Sequence, residues 1–226
     1  MKVILVGLII ALSGIAVLSA TLRVPSEYAT IQEAIDAARS GDVILIAPGT
    51  YTGDVTIRDK SGITLKGDVE ISIPEGVPCY EAIQETVSSV VLNGTLYIID
   101  SDNIVVEALT VTGPGVGVYI QGRTIDPVET VTIRYCNLVR NARSGVRAVG
   151  TYRDLNISCS NISYNGWDGI YLADWGTGIT IENNAINYNG RTTPRGVGIR
   201  VGGYVKDLAI RGNVIQGNPF AGIHPG

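Results

Sequence analysis

Val131-Thr-Ile133, Leu155-Asn-Ile157, Ile179-Thr-Ile181 and Leu208-Ala-Ile210 are four copies of one short pattern. The second apolar residue moves by 24, 24 and then 29 positions. Eight residues beyond each copy is an asparagine: Asn141, Asn165, Asn189 and Asn218. A glycine and a β-branched residue follow, as Gly145-Val146, Gly169-Ile170, Gly198-Ile199 and Gly222-Ile223. The five extra residues of the third unit fall in Arg191-Thr-Thr-Pro-Arg195. An insertion confined to one loop is what a stacked repeat tolerates.

A repeat of about 24 residues with no helical period excludes several architectures. It is too short for a propeller blade, and alternating α/β folds need a helix between strands. Three short strands and three turns per unit make one coil of a right-handed parallel β-helix, an all-β solenoid. Ile104-Val-Val106, Leu109-Thr-Val111 and Gly117-Val118 extend it one coil earlier. Side-chain alternation then sends residues 131/133, 155/157, 179/181 and 208/210 inward, with Leu138, Ile162, Ile186 and Ile215. Each inward position repeats in kind on the next coil, so the core is a set of aliphatic columns.

Upstream, Thr30-Ile-Gln-Glu33 is a capping box that starts a short helix with Ile31, Ala34, Ile35 and Ala38 on one face. Gly41 closes it, and residues 21–41 form an N-terminal cap lying across the open end of residues 42–226. Val43–Ile46, Val55–Ile57, Ile63–Leu65, Glu70–Ile73 and Val90–Ile99 read as strands. Pro74–Ser88 reads as a loop excursion.

Residues 1–20 are a separate object. Lys2, an apolar run and the pair Ser19-Ala20 read as a secretory signal peptide, with a retained membrane anchor as the other reading. Either places the domain outside the cytoplasm, secreted or at the cell surface. The formal charge of −4 gives no support to a nucleic-acid partner. Three cysteines are present. Cys136 and Cys159 fall on adjacent repeats, within reach of a disulfide. The simpler reading is two small buried thiols. The chain ends inside a coil, so the last rung is expected to be covered by further chain or by a partner.

Tyr28 to Ala38 followed by Gly41-Asp-Val-Ile-Leu-Ile-Ala-Pro-Gly-Thr-Tyr51 resembles the opening of secreted β-helix proteins of the pectin-lyase-like superfamily. The resemblance implies the fold and a link to polysaccharides. It carries over no catalytic residue. The Arg-Pro-Trp of pectin methylesterases and the Gly-His-Gly of polygalacturonases have no counterpart here. Ca2+ is implied by resemblance to pectate lyases alone; the sequence shows no cluster of acids to hold it, and no metal site or other cofactor is read.

Four groups of residues are candidates for function. The asparagines at 141, 165, 189 and 218 read as an inward structural ladder, with sugar binding as the alternative. Tyr119, Arg147, Tyr171, Arg200 and His224 must face outward, alternating aromatic and guanidinium groups on successive coils. That strip either stacks on itself or holds a sugar chain, with Arg147 and Arg200 binding carboxylates. Trp167 and Trp175 lie close in sequence to it, beside Asp168 and Asp174. Two carboxylates can hydrolyse a glycosidic bond, although aspartate before a turn glycine is also ordinary turn chemistry. His224 is the single histidine and a weak candidate base. Three functions stay open: a carbohydrate-binding β-helix, a polysaccharide lyase or glycoside hydrolase, and a purely structural surface protein.

Overall fold

The computed structural model describes residues 19–225, so nearly all of the expected leader lies outside the described residues. The chain begins with β1 (Thr21–Val24) and α1 (Ile31–Ala37). One coil follows as β2 (Val43–Ile46), β3 (Gly49–Thr52) and β4 (Val55–Arg58). The next holds β5 (Thr64–Gly67), α2 (Cys79–Ala82), α3 (Gln84–Val87), β6 (Val90–Asn93) and β7 (Leu96–Ile99). Then come β8 (Ile104–Glu107), β9 (Thr110–Thr112) and β10 (Val118–Gly122). The repeat region runs through β11 (Val128–Arg134), β12 (Asn137–Leu138), β13 (Val146–Ser158), β14 (Ile170–Leu172) and β15 (Trp175–Glu182). It closes with β16 (Val197–Val201), β17 (Tyr204–Arg211) and β18 (Ala221–Pro225).

Every named strand pairs in parallel with the strand one coil away. The first face runs β1-β2-β5-β8-β11-β13-β15-β17. The second runs β3-β6-β9-β12 and continues as single bridges through Asn161, Ala185 and Val214. The third runs β4-β7-β10-β13-β14-β16-β18. This is the expected parallel β-helix. The register matches the repeat: Val131 opposes Leu155, Ile133 opposes Ile157, and Ile181 opposes Ile210. Leu138, Ile162 and Ile186 are fully buried.

The capping box forms, with the Thr30 hydroxyl accepting from the Glu33 amide and the Glu33 carboxylate accepting from the Thr30 amide. Ile31, Ala34 and Ile35 are buried, and α1 packs against β1, β2 and β4. The helix ends sooner than expected. Ala38 is already extended, and Gly41, at φ +92°, belongs to the turn into β2. No helix among the described residues is long and apolar enough to cross a membrane.

Two further expectations need correction. Glu70–Ile73 is not a strand. On the second face β3 pairs directly with β6, so no place in the sheet is left for it, and the excursion that follows folds as α2 and α3 over Ala108 through Ile83 and Val87. Of the two cysteines read as buried thiols only Cys136 is one, whereas Cys159 is bonded to Cys79 across 80 residues. The Cys136–Cys159 pairing fails because alternation turns Cys136 into the core, whereas Cys159, at φ +48°, sits in the turn that the excursion reaches. Burial pushes the Cys136 thiol up to about 12.

Candidate functional site

The repeated asparagines form a buried ladder. Asn165 Oδ1 accepts from both the backbone N–H and the side-chain Nδ2 of Asn141, at 3.0 Å each. Asn189 does the same for Asn165, and Asn218 for Asn189. Each Nδ2 also donates to a backbone carbonyl: Val111, Leu138, Ile162 and Ile186 in turn. The glycine column exists for this ladder. A Cβ added to Gly169 would lie 2.9 Å from Asn189 Nδ2 and 2.6 Å from the Gly198 carbonyl oxygen. A second ladder was not read from the sequence: Asn213 Oδ1 accepts from Asn184, and Asn184 Oδ1 accepts from the Ser160 amide.

On the third face, register stacks Tyr97, Tyr119, Arg147, Tyr171, Arg200 and His224 in one outward column. Tyr97 is an addition. Reading Val90–Ile99 as one strand hid the break at Gly94, although Leu96-Tyr-Ile98 copies Val118-Tyr-Ile120. The Tyr97 and Tyr119 rings lie 5.6 Å apart at 60°. The Arg147 guanidinium sits 4.8 Å over Tyr171.

Arg200 has a different task. It grips Asp168 with two hydrogen bonds, Nε to Oδ2 at 2.9 Å and a terminal nitrogen to Oδ1 at 3.0 Å. The Asp168 bond raises the Arg200 pKa. Asp168 is buried and also accepts the Val197 amide at 2.9 Å. Arg200 additionally donates to the Arg195 carbonyl. The pair therefore fastens the five-residue insertion to the coil, and its charges are occupied. Asp174 is exposed, sits at φ +58°, and accepts the Gly150 amide at 2.8 Å. Neither aspartate lines the groove described next. His224 ends the column with its ring 5.3 Å from Phe220 and Nδ1 buried without a partner.

The two tryptophans separate. Trp175 is 61% exposed beside Tyr204, 5.2 Å away, at the edge of the first face. Trp167 lies with Tyr97, Tyr119, Gln121, Arg143 and Arg147 along a groove of about 650 Å³. Arg143, which sequence reasoning missed, holds its guanidinium 5.2 Å over the Trp167 ring. Neither Arg143 nor Arg147 has a carboxylate partner among the described residues, and no acid lines the groove. The first face contrasts with it. There Glu107 bridges Lys66 at 2.8 Å and Arg134 at 2.6 Å, and Glu182 pairs with Arg211 at 2.9 Å. Those charges are paired, whereas the groove keeps two cations without carboxylate partners among aromatic rings. Guanidinium groups and aromatic rings so placed offer donors to a carboxylate and apolar faces beside it. The groove lacks the paired carboxylates of glycoside hydrolysis.

Among the described residues no group of three histidine, cysteine, aspartate or glutamate side chains is placed to hold a metal ion.

A family model described as "Right handed beta helix region" matches residues 82–225, more than half of the chain. Among solved structures, the chain is similar to an alginate lyase from Paenibacillus sp. str. FPU-7. That match has a TM-score of 0.52 and 17% identity, over 86% of this chain and 75% of that one. It is similar also to YbhC of Escherichia coli, with a TM-score of 0.52 and 14% identity, over 86% and 72% of the two chains. No curated protein sequence matches it significantly.

Proposed function

We propose, given that this chain belongs to the right-handed β-helix family with its pectin-lyase-like fold, that the third-face groove binds an acidic polysaccharide. The observation that carries this reading is the pair of unpaired guanidinium groups, Arg143 and Arg147, set among Tyr97, Tyr119 and Trp167 with no acid beside them. Uronate units present a carboxylate and a flat C–H face. Guanidinium groups take the first through two parallel N–H···O bonds, and aromatic rings take the second. Alginate, the substrate named for one structure of the same fold, is a polymer of this class. Such a ligand lies outside the cytoplasm, in keeping with the leader expected over residues 1–20.

Tyr119 and Arg147 of the strip are assigned to the ligand together with Trp167 beside it, and Tyr171 supports Arg147 by stacking. Arg200 and Asp168 hold the insertion. Binding is the assignment; the groove offers no carboxylate pair for hydrolysis, and unsaturated products would reveal elimination instead. The test is a panel of polyuronates and neutral glycans, scored for retention and for reducing ends or unsaturated products. Retention of polyuronates without product is expected. Arg147→Ala should weaken it by roughly 30-fold, about 2 kcal/mol for a charge-assisted contact. Equal retention by Arg147→Ala, or retention of neutral glycans alone by the wild-type protein, would count against the proposal.

A further inference from the structure

The second face carries another groove, on the opposite side of the asparagine ladder from the first. Its floor is the outward surface of the bridged strands, where Asn187 and Gln216 stack on successive coils, with the Gln216 amide donating to Asn187 Oδ1 at 3.0 Å. Tyr164 and Tyr188 form one side. Their rings are stacked, 5.3 Å apart at 15°, and each is more than two-fifths exposed. The excursion forms the other side, through Tyr80 and Gln84. The space between is about 290 Å³.

This wall is held in place on purpose-built contacts. The excursion touches the coils through the small apolar cluster of Ile83, Val87 and Ala108, and through hydrogen bonds from Asn137 Nδ2 to the Gln84 carbonyl and from the Thr110 hydroxyl to the Val87 carbonyl. The Cys79–Cys159 bond pins it next to Tyr80. Beyond that bond the second face is left uncovered, and the groove opens there.

The chemistry of the lining differs from that of the first groove. Four carboxamides, from Gln84, Asn161, Asn187 and Gln216, and three phenols, from Tyr80, Tyr164 and Tyr188, line it. No lysine or arginine does, and the one charge is the Glu81 carboxylate. Carboxamides both donate and accept, so they match vicinal hydroxyls, and tyrosines offer an apolar body with a hydroxyl at its tip. The Glu81 charge repels a uronate. We propose that this disulfide-walled groove is a second carbohydrate site, selective for short neutral oligosaccharides. It stands independently of the acidic-polysaccharide reading of the first groove.

The experiment is a calorimetric titration of the intact protein with a panel of neutral oligosaccharides and, separately, with oligouronates. Three changes are compared. Tyr188→Gly follows the glycine that the next coil carries at the same place, Gly217, so the left-handed backbone at Tyr188 (φ +55°) is kept. Gln216→Ala alters an exposed side chain. Cys79→Ser combined with Cys159→Ser frees the wall. Each should lower neutral-sugar affinity by about 10-fold or more, a change of about 1.4 kcal/mol. Oligouronate affinity should stay, and each variant should still unfold cooperatively, the disulfide-free one at a lower midpoint. Arg147→Ala should do the reverse. Absence of saturable neutral-sugar binding by the wild-type protein overturns the proposal. So does neutral-sugar binding that survives both Tyr188→Gly and Gln216→Ala, or that Arg147→Ala removes. Loss of oligouronate binding alone leaves this site standing and sinks only the first.

Discussion

Asn165 shows how one side chain closes four backbone and side-chain demands at once. Its Oδ1 takes two hydrogens from Asn141, and its Nδ2 serves Leu138 and Asn189. The residue before each ladder asparagine is left-handed: Arg140, Tyr164, Tyr188 and Gly217 have φ between +55° and +67°. The turn is therefore shaped so that the next side chain points in. Asn165→Ala strands several buried groups, each worth about 1–3 kcal/mol, so a loss of roughly 2–4 kcal/mol in chemical denaturation is expected. Asn141→Ala should cost less. Its Oδ1 has no partner, because the preceding coil carries Pro114, which has no N–H, in this turn. Equal losses for the two would contradict the ladder account. The asparagine quartet was legible because one residue type recurs at one offset. The Ser160–Asn184–Asn213 ladder was not, because its first rung changes type and Asn183 sits beside Asn184 as a decoy. The role of Asp168 was also hidden. Its partner Arg200 is 32 residues away, and an Asp-Gly turn looks the same whether or not an arginine arrives over it.

At the level of the strands, the first face ties its coils together by charge. Burial alone would raise the Glu107 carboxyl, but Lys66 and Arg134 outweigh it and hold the group below its ordinary value. A group depressed in the folded state adds stability above its unfolded value, and that stability goes as pH falls through the folded value. Asp42 is lowered in the same direction by the Arg39 and Ala20 amides. Unfolding free energy should thus be level at neutral pH and fall below about pH 4.5. Glu107→Gln should flatten part of that slope while reducing stability near neutrality by roughly 1–3 kcal/mol. A pH profile identical to that of the wild-type protein would remove Glu107 from the account. The strand columns were readable from period-two alternation. The helices α2 and α3 were not, since four-residue turns held by packing and a disulfide leave no periodic signal. An odd set of three cysteines likewise left the partner of Cys159 undetermined.

For the whole molecule, the repeat dictates the shape. Stacking places every outward position above its equivalent, so a strip on one face and a groove on another are automatic products of the register. What decides their use is which charges remain unpaired. Arg200 drops out because Asp168 takes it, whereas Arg143 and Arg147 rest on rings and stay available. That distinction lies in three dimensions and in no one repeat. The two tryptophans provide a direct reporter, since Trp167 lines the cationic groove and Trp175 lies in a separate hollow with Tyr204 and Lys206. The deciding measurement is tryptophan emission during titration with an oligouronate in Trp175→Phe and Trp167→Phe. A saturable change in Trp175→Phe, absent from Trp167→Phe and abolished by adding Arg147→Ala, is the predicted result. A change confined to Trp167→Phe, reported by Trp175, or one indifferent to Arg147→Ala, would place the ligand elsewhere and contradict it.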